Sequence, residues 1–397
     1  MTNKEKILLL LLASINFTHI VDFMIMMPLG PQLMRIMKIN PQQFSLLVAA
    51  YTFSAGIMSL IAAFFVDRFN RKHVVLISYI GFTIGTFACA LAPDYHFLLM
   101  ARIVAGMFGG VTAAQILAII GDVFPYEKRG TAMGFLMGSF SIASVAGVPC
   151  GLWLAASYSW HAPFILVGAM SVLIFAAAFI YIPDLTKHIS EIKESRLKVF
   201  KDIGSNANQR WALLLMFVMM LGHFSIIPFI APYMVGNVGL SEHQLSFIYL
   251  VGGGLTIFSS PLIGKLADKI GKFKVYAIFV TCSLVPVLLI TNLNPLPLSM
   301  VLVVTSMFFI VSGGRSIPAM AMISSVVHPK QRGGFMNINA SLQHLATGLA
   351  SFVAGMIILK NNQGKLEHYN YVGFLAAVAS LLSIFIASKL KPVESKK

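Results

Sequence analysis

The chain has 397 residues, of which 57% are hydrophobic and only 11% charged, with a formal net charge of +15. Soluble globular chains carry about 25% charged residues, so this one has too little polar surface to coat a water-soluble core of its size. Its hydrophobicity excludes a disordered chain, and its three cysteines, all inside apolar runs, exclude a secreted disulfide scaffold.

A bilayer core about 30 Å thick takes about 20 apolar residues per helix. Twelve runs of that length occur, at roughly 7–34, 42–66, 73–92, 96–121, 130–156, 161–182, 210–235, 243–267, 273–292, 297–325, 333–360 and 369–388. They are continuous, which excludes the alternating ten-residue strands of a membrane barrel. The first begins as KEKILLLLLASIN and stays apolar to about Met34. That is longer than the apolar core of a secretory leader, so it reads as a retained span.

The basic residues sort by loop. With the N-terminus in the cytoplasm, 23 Lys and Arg fall on the cytoplasmic side and four on the outer side, while Arg102 and Arg315 lie within spans. This bias places both termini inside, and the short loops suit a cell (inner) membrane. Short basic clusters between apolar runs are topology signals beside lipid headgroups, not a nucleic-acid surface.

The longest polar connection, residues 183–208, divides the chain into 1–182 and 209–397, six spans each. The halves resemble each other. PQQFSLLVAAYTFSAGIMSLIAAFFVDRFNRK (41–72) aligns with EHQLSFIYLVGGGLTIFSSPLIGKLADKIGKF (242–273), placing Asp67 on Asp268. YEKRGTAMG (126–134) aligns with PKQRGGFMN (329–337), placing Arg129 on Arg332. Internal duplication with a site between the halves is a transporter architecture.

The segment GKLADKIGKFK (Gly264–Lys274) resembles the loop motif between the second and third spans of the major facilitator superfamily. The first-half copy, AFFVDRFNRKH, keeps Asp67, Arg68, Arg71 and Lys72 and departs from the family's glycines at Ala63 and Asn70. RIVAGMFGGVTAAQ, with Arg102, resembles a stretch of proton-coupled members. GSFSIASVAGVPCGLWLAASYSWHAPF resembles the motif of twelve-span drug/proton antiporters, in the form of the sugar-efflux and arabinose-efflux-like branch, with His161 where that branch commonly has arginine. The resemblance implies an all-α membrane protein with the major facilitator fold, two pseudo-symmetric six-helix bundles working by alternating access as a monomer. It implies exchange of a small organic molecule for protons, with import by symport or facilitation as the alternative and a non-transporting receptor on the same fold as a weaker one.

A charge at the bilayer centre is costly, so each one is a functional candidate. Of the fourteen acids, only Asp22 lies well inside a span. A carboxylate's proton affinity depends on its burial and on any cationic partner, so a change of surroundings loads or unloads it. Asp22 is therefore the expected proton carrier, with His19 and Asn16 at i, i+3 spacing before it and expected to face the cavity with it. The structural alternative makes Asp22 a fixed partner of Arg102 or Arg315. The family resemblance gives Arg102 a part in tuning proton affinity or binding substrate. Arg315, near the middle of span 10, is the best placed residue for an anionic or polar substrate contact. His223 and His344 are candidates for substrate contact or proton relay, and Gln115, Asn337 and Asn339 for lining the cavity.

At the cytoplasmic span ends, Asp67, Arg68, Arg71, Asp122, Arg129 and Asp268 are expected to form a gate, with opposed charges as latches. Gly106/Gly110, Gly134/Gly138 and Gly147/Gly151 have the four-residue spacing that lets helices approach closely, and Pro149 is expected to kink span 5. No cluster has metal-ligand spacing and no phosphate-binding loop occurs, so neither a cofactor nor enzymatic activity is expected.

Overall fold

The computed structural model describes residues 2–124, 126–186, 204–327 and 332–393. Among these, twelve helices are long and apolar enough to cross a membrane. Spans 1 to 6 are Asn3–Ile25, Pro41–Ala62, Arg71–Ala90, Tyr95–Val123, Gly130–Ser157 and Ala162–Tyr181. Spans 7 to 12 are Ala207–Val238, Glu242–Ile270, Lys272–Thr291, Leu298–Ser325, Gly334–Ile357 and Tyr369–Ser388. Helices satisfy their own backbone, the condition for crossing lipid. Their outward faces carry large apolar side chains such as Leu173, Ile180, Phe258 and Val378, all largely exposed, as lipid-facing residues must be.

The duplication extends to the helix caps. Asn40 caps span 2 in a reciprocal box with Gln43, and Ser241 caps span 8 in the same way with Gln244. Each box satisfies two otherwise orphaned backbone donors and contributes about 1 kcal/mol.

The leading span of each half is broken. The apolar run at 7–34 is not one helix: Asn3–Ile25 ends before Pro28, and a second helix runs Gly30–Ile36. Span 7 is likewise Ala207–Phe224, then Ile227–Tyr233, then a π-helical turn at Met234–Val238. Pro28 and Pro228 lack the N–H that a continuous helix would use, and their rings clash with the preceding turn. Span 5 carries a π-helical turn at Ala143–Gly147, immediately before Pro149. Between spans 11 and 12 a two-residue hairpin pairs Leu359–Lys360 with Leu366–Glu367, closed through Gly364 at φ 83°.

Packing divides by face. On the face bearing the termini no buried apolar cluster among the described residues joins the halves: two larger clusters, and two small ones at Ala62, Val66, Val111 and at Ile263, Ala267, Val275, each stay within one half. One of the larger two holds Leu8–Ile15, Val75, Phe82, Ile116 and Ile182, and the other Ala212–Met220, Tyr276, Ile323 and Ile386. Towards the opposite face a single cluster joins both halves, from Ile25, Leu33 and Phe44 to Phe229, Tyr249 and Tyr369. Among the described residues the halves thus share a buried apolar cluster at one face and none at the other.

Candidate functional site

Two buried arginines organise the membrane interior, one in each half. Span 4 carries Arg102, fully buried, whose Nη1 lies 2.8 Å from Asp22 Oδ2 of span 1. Thr86 of span 3 donates to the other oxygen, Oδ1, at 3.1 Å. The guanidinium lies 4.2 Å over the Tyr51 ring of span 2, so four helices converge on it. Its Nε and Nη2 have no hydrogen-bond partner, nor does the Tyr51 hydroxyl. Planar guanidinium stacks on a ring face and donates to a carboxylate at once, and both happen here.

Span 10 carries Arg315, 2% exposed. Its Nη2 lies 2.6 Å from His223 Nδ1 of span 7, and its Nη1 donates to Ser380 Oγ of span 12 at 3.3 Å. A guanidinium only donates, so His223 Nδ1 accepts and its ring proton sits on Nε2. The imidazole stacks on Phe308, with centroids 5.8 Å apart and planes 14° apart.

The two clusters touch through Phe23 and Phe224, whose rings meet at 6.1 Å beside the breaks in spans 1 and 7. A spacing of 201 residues separates Asp67 from Asp268, and the same spacing separates Asp22 from His223. The repeat therefore offered the relation between these two positions in the sequence. It did not offer their partners, because Arg102 lies in the first third of its helix and Arg315 beyond the middle of its own.

Asp22, Asn16 and His19 point into the first bundle and not into an open cavity. Asn16 donates to Ser139 of span 5 at 2.8 Å, and Asp22 is wholly enclosed. His19 sits between Tyr51 and Phe82, at 6.0 and 5.8 Å, with Nε2 unpartnered. A side chain at Gly109 would strike both His19 and the Tyr51 hydroxyl, so only glycine leaves them room. Of the two arginines, Arg102 holds Asp22 and Arg315 does not.

A cavity holding about 130 Å³ of water-accessible space opens between the halves on the terminal-face side. Gln115, Asn337 and His344 line it, with Ser59 and Arg71. Asn339, 1% exposed with an unpartnered Oδ1, does not line it. Near its rim Arg71 Nε lies 3.0 Å from Asp122 Oδ2, and Arg71 Nη1 donates to Gln115 Oε1 at 3.3 Å. This pair joins spans 3 and 4 of one half and does not cross to the other. Arg68 and Asp268 are exposed at the same face, and the side chains of Asp67 and Arg129 lie outside the described residues, as does 187–203 of the connection. Asn70, standing where the family motif has glycine, caps span 3. Its side chain also donates to Asp184 at 2.7 Å and accepts from the Leu185 amide, tethering the start of the connection.

Gly147 abuts Val21 and Gly151 abuts Ile25, so these two bring span 5 against span 1 beside Asp22. Gly134 and Gly138 face open space and bring no helix close, contrary to their spacing. His161 binds the Ala90 carbonyl through Nδ1 at 2.7 Å, pinning the end of span 3.

One residue of the opposite face was invisible in the sequence, where it reads as an ordinary loop acid. Glu242 of span 8 accepts from Gln32 Nε2 and Arg35 Nη1, both at 2.6 Å, and so ties the second half to the Gly30–Ile36 helix of the first. Only the fold brings these positions together.

Comparison with known proteins agrees with this architecture. The model of the Major Facilitator Superfamily matches residues 12–224 and 212–397. An uncharacterized MFS-type transporter of Bacillus subtilis, YceJ, is 23% identical over 94% of this chain and 93% of its own. The multi-drug resistance efflux pump PmrA of Streptococcus pneumoniae is 24% identical over 79% of this chain and 80% of its own. Among solved structures, a D-xylose-proton symporter superposes with a TM-score of 0.80 at 14% identity, covering 98% of each chain.

Proposed function

This chain belongs to the Major Facilitator Superfamily, a multi-pass membrane transporter and not an enzyme, and from that premise we propose that it exports a small organic molecule in exchange for protons. The observation that carries the reading is the Asp22–Arg102 pair, the carboxylate and guanidinium both wholly buried at 2.8 Å. A proton arriving on Asp22 neutralises the carboxylate and removes the reason for Arg102 to stay. Because Arg102 also rests on Tyr51, and Asp22 is held by Thr86, that one event reaches spans 1 to 4 together.

With the termini in the cytoplasm, as the 23-to-4 division of basic residues directs, the arrangement is inward-facing in a cell inner membrane: closed outside and parted inside. Residues 1–182 and 209–397 are then the two rocking units, joined on the cytoplasmic side, and a single copy suffices. Arg68, Arg71, Asp122 and Asp268 lie at the span ends where the parted face must close, with Asp67 and Arg129 beside them in the sequence. Each proton moving inward releases about 2.3 kcal/mol per 100 mV of membrane potential. The efflux activity in the name of PmrA, at 24% identity, favours export.

The test is accumulation of a compound panel in energised, efflux-deficient cells carrying empty vector, wild type or Asp22→Asn, with and without a proton uncoupler. Wild type should lower accumulation of at least one compound, and both the mutation and the uncoupler should abolish that. Uphill export persisting in an equally expressed Asp22→Asn variant would remove Asp22 from coupling. Raised accumulation in wild type would reverse the direction.

A further inference from the structure

The two halves present the same construction with one member changed. In each, an arginine of the fourth span is bonded to a residue of the first span, and the two first-span residues are related by the repeat. In the first half that residue is a carboxylate, so the buried pair is neutral. In the second half it is the imidazole of His223, held with Nδ1 as acceptor, so Arg315 keeps its full charge. No carboxylate among the described residues pairs with Arg315, and no other acid of the sequence lies well inside a span. Its remaining partner is a hydroxyl, Ser380 Oγ. The Arg315 Nε and the hydroxyl of Ser312, one turn earlier, are buried without partners. An uncompensated guanidinium in a membrane interior is among the most expensive groups a protein can hold.

We propose that the transported molecule carries a compact anionic group, such as a carboxylate, that docks on Arg315 in place of the His223 imidazole. This rests on the transporter reading above and narrows it to a substrate class. Two features fit the exchange. Arg315 keeps an unused donor for a second oxygen, which matches the bidentate grip of guanidinium on carboxylate. His223 is half-buried at the break in span 7 and packs on Phe224, whose ring meets the first half's Phe23, so its displacement reaches the contact between the halves. Docking would give the second half the neutral pair that the first half has built in.

The test uses the full chain purified in neutral detergent, with no gradient, and reads its melting temperature. The probes are two matched sets at millimolar concentration: benzoate, benzamide and benzylamine, and hexanoate, hexanamide and hexylamine. At least one carboxylate should raise Tm by about 2 °C or more where its amide and amine do not, and Arg315→Gln should abolish the shift. An amide as effective as its acid, a shift surviving in Arg315→Gln, or no response to either carboxylate overturns the proposal. A second comparison guards against a variant that folds poorly. His223→Glu places a fixed carboxylate against Arg315, so it should melt above His223→Gln without ligand and lose the carboxylate response. Equal melting of the two overturns the uncompensated-charge argument. Because nothing is transported, carboxylate binding with failed export leaves this inference standing alone. Export of a neutral compound with no carboxylate response removes this inference and leaves the export reading intact.

Discussion

Asp22 and Arg102 show why a buried ion pair is a poor stabiliser and a good switch. Desolvating both ions consumes most of what their attraction returns, whereas removing one partner strands the other in a dry interior. Asp22→Asn should therefore destabilise the chain by about 3–5 kcal/mol, because Arg102 already has two nitrogens without partners. Replacing both members, as Asp22→Leu with Arg102→Met, should recover most of that loss while leaving proton-driven transport absent. The measurement is a double-mutant cycle on thermal stability with Asp22→Leu and Arg102→Met made singly and together; additive losses would mean that the two side chains do not act as a pair. The cost of an intramembrane charge made both residues legible in the sequence. Their pairing was legible only as one of two alternatives, Arg102 or Arg315, since depth along a helix is readable but the direction a side chain faces depends on how the helices rotate against one another. The same gap hid the enclosure of Asn16 and His19, which were expected at the cavity.

Element boundaries were legible wherever length set them, as twelve apolar runs. The breaks in spans 1 and 7 were written as Pro28 and Pro228, but hydropathy treats proline in an apolar run as filler and joins the pieces. Glycine spacing was the least informative signal, because it states that a helix can be approached and not that it is. Gly106 lies against the Tyr51 backbone and the Ser54 side chain of span 2, whereas Gly134 has nothing near it. Gly106→Ala should thus cost about 1–3 kcal/mol, the range for overpacking an occupied contact, and should disturb the Tyr51 ring on which Arg102 rests. Gly134→Ala should leave stability unchanged or slightly raised, since alanine is the better helix former. Thermal unfolding of the two variants side by side checks this, and equal losses would mean that the packing around span 4 is looser than described.

At the scale of the whole molecule, the asymmetry between one shared apolar cluster and separate ones within each half defines the resting arrangement. Alternating access requires that the shared face open as the parted face closes, so whatever fastens the shared face sets the balance between the two. Apolar packing there is broad and non-directional, but Glu242 supplies a directional tie. It accepts from Gln32, which also donates to the Ala155 carbonyl at 3.1 Å, and from Arg35. Arg35 is 63% exposed at its side chain, so its ion pair contributes little. The half-buried bond from Gln32 is the stronger part, on the order of 1.5–3 kcal/mol as a bond to a charged acceptor. Glu242→Gln weakens both and should shift the balance away from the parted terminal face by roughly tenfold, the equivalent of about 1.4 kcal/mol. The readout is labelling of a single cysteine, Asn337→Cys, in a background with Cys89, Cys150 and Cys282 replaced by alanine. Asn337 lines the cavity between the halves, so a membrane-impermeant maleimide applied to the terminal face reaches it only while that face is parted. Glu242→Gln should slow this labelling several-fold, and Glu242→Asp, which keeps the charge on a shorter arm, should slow it less. Unchanged labelling in both variants would assign the closure of the shared face to apolar packing alone and leave Glu242 without a gating role.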